Sequence, residues 1–169
     1  MYRDNQEELF PVVDDEGHVT GSIRRGQAHD GSKILHPVVH LHLWNSEGAL
    51  YLQKRPEWKD IQPGKWDTAT GGHVNYGEAV ADALHREVSE ELGVTDYTPR
   101  EIGRYVFEGK RERELVYVYE TVYDGVVRPS TDELAGGRFF TPAEIKSRIG
   151  TQFFTPNFED EYMKFYSDK

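Results

Sequence analysis

Three carboxylates, Glu87, Glu90 and Glu91, crowd together near the end of the stretch Gly72 to Val94, which reads GHVNYGEAVADALHREVSEELGV. Positions three and four apart share one face of a helix, so Glu87 lies over both Glu90 and Glu91. Like charges at such spacings cost an isolated helix about 0.2–0.5 kcal/mol per pair. A bound divalent cation reverses that sign, because hard cations such as magnesium take carboxylate oxygens, keep several waters and bridge to substrate phosphates. A solvated acidic face is the plainer alternative. It leaves unexplained Arg86 beside the carboxylates, Glu78 upstream, and the glycine pair Gly71 and Gly72 ahead of the helix.

The elements that must position these groups are legible in outline. Ala79 to Leu92 contains no Gly or Pro and is rich in Ala, Leu, Val and Glu, which predicts a helix, and Gly93 supplies a left-handed stop. The clearest strand is Pro37 to Trp44. There Val39, Leu41 and Leu43 alternate with Val38, His40, His42 and Trp44, so the two sets occupy opposite faces. Its histidines read as half-buried sheet residues satisfied by a hydrogen bond, outside the site. Ala49 to Arg55 predicts a second strand, antiparallel to the first across the Asn45–Gly48 turn.

Upstream, Glu8 to Arg25 suggests a hairpin around an Asp-Asp-Glu-Gly turn, and Gly26 to His36 reads as a loop carrying His29 and His36. The Pro- and Trp-rich run Pro56 to Trp66 is too irregular for helix or strand. Trp58 and Trp66 there are candidates to line a pocket, with packing against the sheet the expected use of at least one. Lys54, Arg55, Lys59 and Lys65 surround it, to meet phosphate oxygens or simply to be solvated. Strands are expected at Glu101–Phe107 and Leu115–Tyr123, joined by the charged loop EGKRERE. Thr141-Pro142-Ala143-Glu144 forms a capping box that starts a short helix, and a last helix follows Pro156 with Phe158, Tyr162 and Phe165 or Tyr166 inward.

A chain of 169 residues with 37% hydrophobic and 12% aromatic content suits a single domain with a real core. No apolar run approaches the ~20 residues a bilayer requires. The polar, acidic start MYRDNQEELF is unlike a signal peptide, so a cytoplasmic address is expected, with no membrane partner. The net charge of −10 argues against general nucleic-acid binding, yet allows a small phosphorylated substrate if a metal brings the positive charge. No cysteine is present, which excludes disulfides, thiolate metal sites and a cysteine nucleophile.

The pattern G-x5-E-x7-R-E-U-x-E-E-x-G-U, with U aliphatic, is met by Gly72, Glu78, Arg86, Glu87, Val88, Glu90, Glu91, Gly93 and Val94. It resembles the Nudix box at every defined position. The resemblance implies a Nudix-type α/β/α sandwich with a mixed central sheet. Residues 1–36 would then form an N-terminal extension with a β-hairpin, 37–140 the core and 141–169 the C-terminal helices of one domain. It also implies attack by water on a diphosphate joined to another group X, with Mg²⁺ or Mn²⁺ held by Glu87, Glu90, Glu91 and the backbone near Gly72. Arg86 with Glu78 would hold loop and helix in place. The general base stays open between a box glutamate and a later carboxylate such as Glu133.

A second resemblance, from Glu8 to Phe140, is to the Nudix branch that contains isopentenyl-diphosphate isomerase. It rests on VVDDEGHVTGSIRRGQAH, LHPVVHLHLWNSEGALYLQKR and PGKWDTATGGH. That branch implies a second metal site, to which His29, His36, His73, Glu112 and Glu114 correspond. Loop histidines and a solvated charged hairpin are the alternative reading of those residues. The isomerases also carry a cysteine just before the Gly-His, and here that place is Gly71. The expectation is therefore a hydrolase of a small-molecule diphosphate, with an isomerase or a non-catalytic sensor of a phosphorylated ligand as alternatives. A homodimer is expected as the commonest assembly.

Overall fold

The computed structural model describes residues 6–59, 62–131 and 135–168. Its N-terminal hairpin pairs β1 (Leu9–Val13) with β2 (Val19–Arg24), Phe10 opposite Ile23, in a two-stranded sheet of its own. The Asp14 carboxylate closes the turn by accepting from the backbone N–H of Glu16 and His18, each at 2.9 Å. The segment expected to be a loop opens instead with a one-turn helix, α1 (Arg25–Ala28), and the following strand, β3 (Leu35–Trp44), begins earlier than expected. Local propensity does not build α1. Its Ala28 is buried against Phe10 and Ile23, and the Gln27 side chain accepts from the Arg24 N–H at 3.1 Å.

The second sheet is organised on β3. β3 runs parallel to β8 (Arg113–Val122) along its whole length, from Leu35 opposite Arg113 to Trp44 opposite Val122. On its other edge it pairs antiparallel first with β6 (Thr70–His73) and then, at Leu43 and Trp44, with β4 (Leu50–Lys54). β5 (Trp66–Thr68) and β9 (Gly137–Phe140) flank β4, and β7 (Arg100–Glu108) closes the far edge against β8. β5, β6 and β9 are too short, and β6 too glycine-rich, to announce themselves in sequence. They are strands because β3 and β4 present edges that must be paired.

Helices cover both faces. α2 (Val80–Leu92) starts after Ala79 and ends at Gly93, whose φ of 65° is the left-handed stop. Its Ala83, Leu84, Val88 and Leu92 pack on Val39, Leu41, Leu43, Leu115 and Tyr117. On the opposite face α3 (Pro142–Arg148) and α4 (Pro156–Tyr166) bury Ile145, Phe158, Tyr162 and Tyr166 against Trp44, Leu50, Leu52 and Phe140. The capping box of α3 forms as the sequence predicts, with Thr141 Oγ1 accepting from Glu144 N–H and Glu144 Oε1 from Thr141 N–H. Thr155 caps α4 and donates its hydroxyl to Asp67 on β5 at 3.0 Å, which pins the helix to the sheet. The result is an α/β/α sandwich with a mixed sheet. Among the described residues no helix is long and apolar enough to cross a membrane.

Phe158 is fully buried in the layer beneath α4. Phe158→Ala is expected to destabilise the protein by about 3–5 kcal/mol, read as a lowered urea midpoint at unchanged slope.

Candidate functional site

Three of the expected carboxylates, Glu78, Glu87 and Glu90, gather around one guanidinium. Arg86 donates Nε–H and Nη2–H to the two Glu78 oxygens at 2.8 and 3.0 Å, Nη1–H to Glu87 at 2.7 Å, and a further Nη2 bond to the His73 carbonyl at 3.0 Å. Glu90 lies 3.7 Å from the same group. A planar fork of five donors is suited to hold several acceptors in fixed directions. Here it ties together the loop before α2, the end of β6 and the helix itself. Glu78 also accepts from the Asn75 N–H at 3.0 Å, and the Arg86 hydrogen bonds hold its carboxyl below the usual range.

A Cβ on Gly72 would fall 2.3 Å from the Glu87 carboxyl carbon, so a side chain there would displace the Glu87 carboxylate. Glu91 is 6% exposed on the inner flank of α2, and the Glu90 side chain is 54% exposed on the outer. The oxygens of Glu87, Glu90 and Glu91 do not all come within 4.8 Å of one another, and one Glu87 oxygen accepts from Arg86. Segment 128–130 folds back on the end of α2, with the Arg128 and Ser130 N–H groups donating to the Leu92 and Glu91 carbonyls at 2.8 Å each. Glu133, the later carboxylate considered as a base, lies outside the described residues.

Four of the five residues expected to form a second cluster do converge. His29 after α1, His36 on β3, His73 on β6 and Glu114 on β8 each bring one ligand atom within 4.8 Å of the others. Carbonyls only accept, so the His36 and His29 Nδ1 atoms donate to Ile34 O at 2.9 Å and Arg25 O at 3.1 Å. Each Nε2 is thereby left as a lone-pair donor. The buried Nε2 atoms of His36 and His73 have no hydrogen-bond partner among the described residues and stand 3.7 and 3.8 Å from Glu114. Phe10 stacks on His73 at 4.4 Å, and burial depresses the His73 and His29 pKa values, which favours neutral imidazoles.

Glu112 is not brought in. β8 begins only at Arg113, so Glu112 sits in the hairpin turn beside Gly109 and lines a cavity with Lys110 and Arg111. Trp66 packs on Phe140 and Phe153, while Trp58 is exposed beneath Lys59. Of the basic residues near that loop, Arg55 lines the cavity and lies 3.7 Å from Asp67.

The sequence reading passed over Glu161. It is 1% exposed on α4, and its carboxylate accepts from His40 Nδ1 at 2.8 Å, Tyr105 OH at 2.5 Å and His42 Nε2 at 2.6 Å. The signal was present: position 161 shares the inward stripe of Phe158, Tyr162 and Phe165, where a carboxylate needs partners. His40 and His42 sit on the sheet face that α4 covers.

A NUDIX domain model matches residues 34–161. The chain belongs to the Nudix hydrolase family. It is 37% identical over 135 residues to an uncharacterized Nudix hydrolase of Pseudomonas aeruginosa, covering 80% of this chain and 79% of that protein. It is 30% identical over 153 residues to a Streptomyces coelicolor protein named isopentenyl-diphosphate Delta-isomerase, covering 87% and 78%. The crystal structure of DR0079 from Deinococcus radiodurans superimposes with a TM-score of 0.81 at 25% identity, covering 94% of this Nudix chain and 99% of that one.

Because the Glu78 pKa is lower in the folded protein, its pairing with Arg86 stabilises fully above the ordinary carboxylate range and is lost as pH falls through and below ~4.5. Thermal melts from pH 3 to 7 are expected to show a smaller gain in stability with rising pH for Glu78→Gln than for the wild type.

Proposed function

We propose that this Nudix protein hydrolyses an organic diphosphate, a nucleoside diphosphate linked to X or a related compound, at a site built on α2. The observation that carries this reading is the Arg86 fork that ties α2 to β6, with Glu87 lying over Gly72. It holds the β6 backbone, Glu78 and Glu87 in one rigid unit beside the remaining carboxylates. Glu87, Glu90 and Glu91, with the carbonyl near Gly72, would hold Mg²⁺ or Mn²⁺, an all-oxygen set that suits hard cations. When bound, such a cation neutralises charge on phosphoryl oxygens and lowers the pKa of water. Arg86 keeps Glu87 and the strand in register, and a box glutamate or a later carboxylate such as Glu133 would take the proton from the attacking water.

His29, His36, His73 and Glu114 would hold a second cation, and imidazole with carboxylate suits Mn²⁺ or Zn²⁺. The paired Nε2 atoms facing one carboxylate support that assignment. The same residues favour an isomerase-like relative as a second reading, but Gly71 offers no side chain and the chain has no thiol to move a proton. The intact carboxylate set speaks against a ligand sensor that has lost catalysis.

With Mg²⁺ and a panel of nucleoside and isoprenoid diphosphates, at least one compound is expected to release phosphate or a monophosphate. Folded protein that cleaves none of them would refute the hydrolase reading. Glu91→Gln is expected to lower turnover at least about a hundredfold with the fold intact. For the second site, His36→Ala and His73→Ala should each reduce bound Mn²⁺ or Zn²⁺ by one equivalent per chain in equilibrium dialysis. Unchanged stoichiometry would remove that site.

A further inference from the structure

The seven-stranded sheet ends on an open strand. β7 is nine residues long, β8 occupies one of its edges, and among the described residues no strand pairs with the other. Such an edge presents a row of unpaired N–H and C=O groups, a template for another strand. The one irregularity of β7 lies between Glu101 and Gly103, and residues 103–108 pair one for one with β8. Within that regular stretch Tyr105 and Phe107 point to the α4 side, packing with Val38, Val116 and Val118. By alternation Arg104, Val106 and Glu108 point the other way, Arg104 lying 4.5 Å over the Tyr117 ring.

A cavity of about 300 Å³ is lined by residues 105–108 together with Asn157, Asp160, Glu161 and Lys164 of α4. Successive side chains of a strand point to opposite faces, so four consecutive residues border one cavity where it runs along the backbone edge. The outer edge of β7 therefore meets open space. Val106 is 40% exposed, and the Arg104 and Glu108 side chains 48% and 54%. Arg104 is bonded to Glu101, and Glu108 to Lys33, in surface pairs that contribute little and are readily exchanged.

Charged side chains on an edge strand commonly block pairing. On β7 they favour one register with a second copy of the chain. When two β7 strands run antiparallel about a two-fold axis at Val106, Arg104 of each falls opposite Glu108 of the other, Tyr105 opposite Phe107, and Val106 opposite its own copy. An axis at Arg104 or Glu108 sets like charges face to face, and one at Tyr105 or Phe107 sets a charge opposite Val106. We propose that two chains associate through β7 in the Val106-centred register, joining their sheets into one. Arg-Tyr-Val-Phe-Glu is its own complement, with opposite charges outside, aromatics within and a β-branched residue at the centre. None of these residues belongs to either candidate cation site, so the dimer stands apart from the hydrolytic reading. One strand pair is a small contact, and a dimer of roughly micromolar strength is expected.

Sedimentation velocity of the full chain from about 1 to 100 µM should show a monomer–dimer equilibrium. Val106→Lys, at a position already exposed, brings two ammonium groups together at the axis and should leave only monomer over that range. Arg104→Glu and Glu108→Arg should each raise the dimer Kd at least about tenfold. Combining them restores the pair with its sign reversed and should return the Kd toward the wild-type value. Urea midpoints check that each variant folds, and Val106→Lys decides the matter if a charge reversal does not. A chain that stays monomeric to about 100 µM, a dimer that persists in Val106→Lys, or a double variant no tighter than the single ones would overturn the proposal.

Discussion

Side chains alternate along β3, and that period of two decides which chemistry lies on which side of the sheet. Val39, Leu41 and Leu43 face α2, and His36, Val38, His40, His42 and Trp44 face the other way. β6 inherits the rule through its register, Gly72 opposite Val39 and Gly71 opposite His40. Gly72 therefore meets Glu87 of α2, while Gly71 and His73 belong to the histidine side. A slip of one residue would exchange the faces and dismantle both arrangements.

Each side is held by one charged hub. Arg86 satisfies Glu78, Glu87 and a strand carbonyl, and Glu161 satisfies two histidines and a tyrosine. Such hubs contribute little net stability against well-packed apolar replacements, but removing one partner strands the others. Their effect is directional. Arg86 fixes the angle between β6 and α2, and Glu161 fixes α4 over β3 and β7, with Phe158, Tyr162 and Tyr166 supplying the apolar contact.

The two candidate cation sites differ in donor chemistry and share a strand. The α2 set is all oxygen, whereas the other combines three imidazoles with Glu114. Arg86 reaches the His73 carbonyl from one side of β6 as the His73 ring enters the histidine cluster on the other. Movement of β6 would be felt by both sets of ligands.

The sequence by itself determined the α2 helix and its stop at Gly93, the faces of β3, the capping box at Thr141 and the inward stripe of α4. These depend on periodicity and on local backbone chemistry, which short stretches carry. It also named the family through Gly72 to Val94, and the histidines and Glu114 through a longer resemblance. Tertiary structure alone decided that α1 is helical, that Thr70–His73 is a strand, that Glu112 turns away while Glu114 turns in, and that Glu161 meets His40 and His42. Each of these depends on a neighbour distant in sequence: Phe10 under α1, an open edge of β3, the point where β8 begins, and a helix more than a hundred residues beyond the strand it covers. A buried carboxylate takes its partners from whatever packing places beside it, and local pattern does not encode that choice.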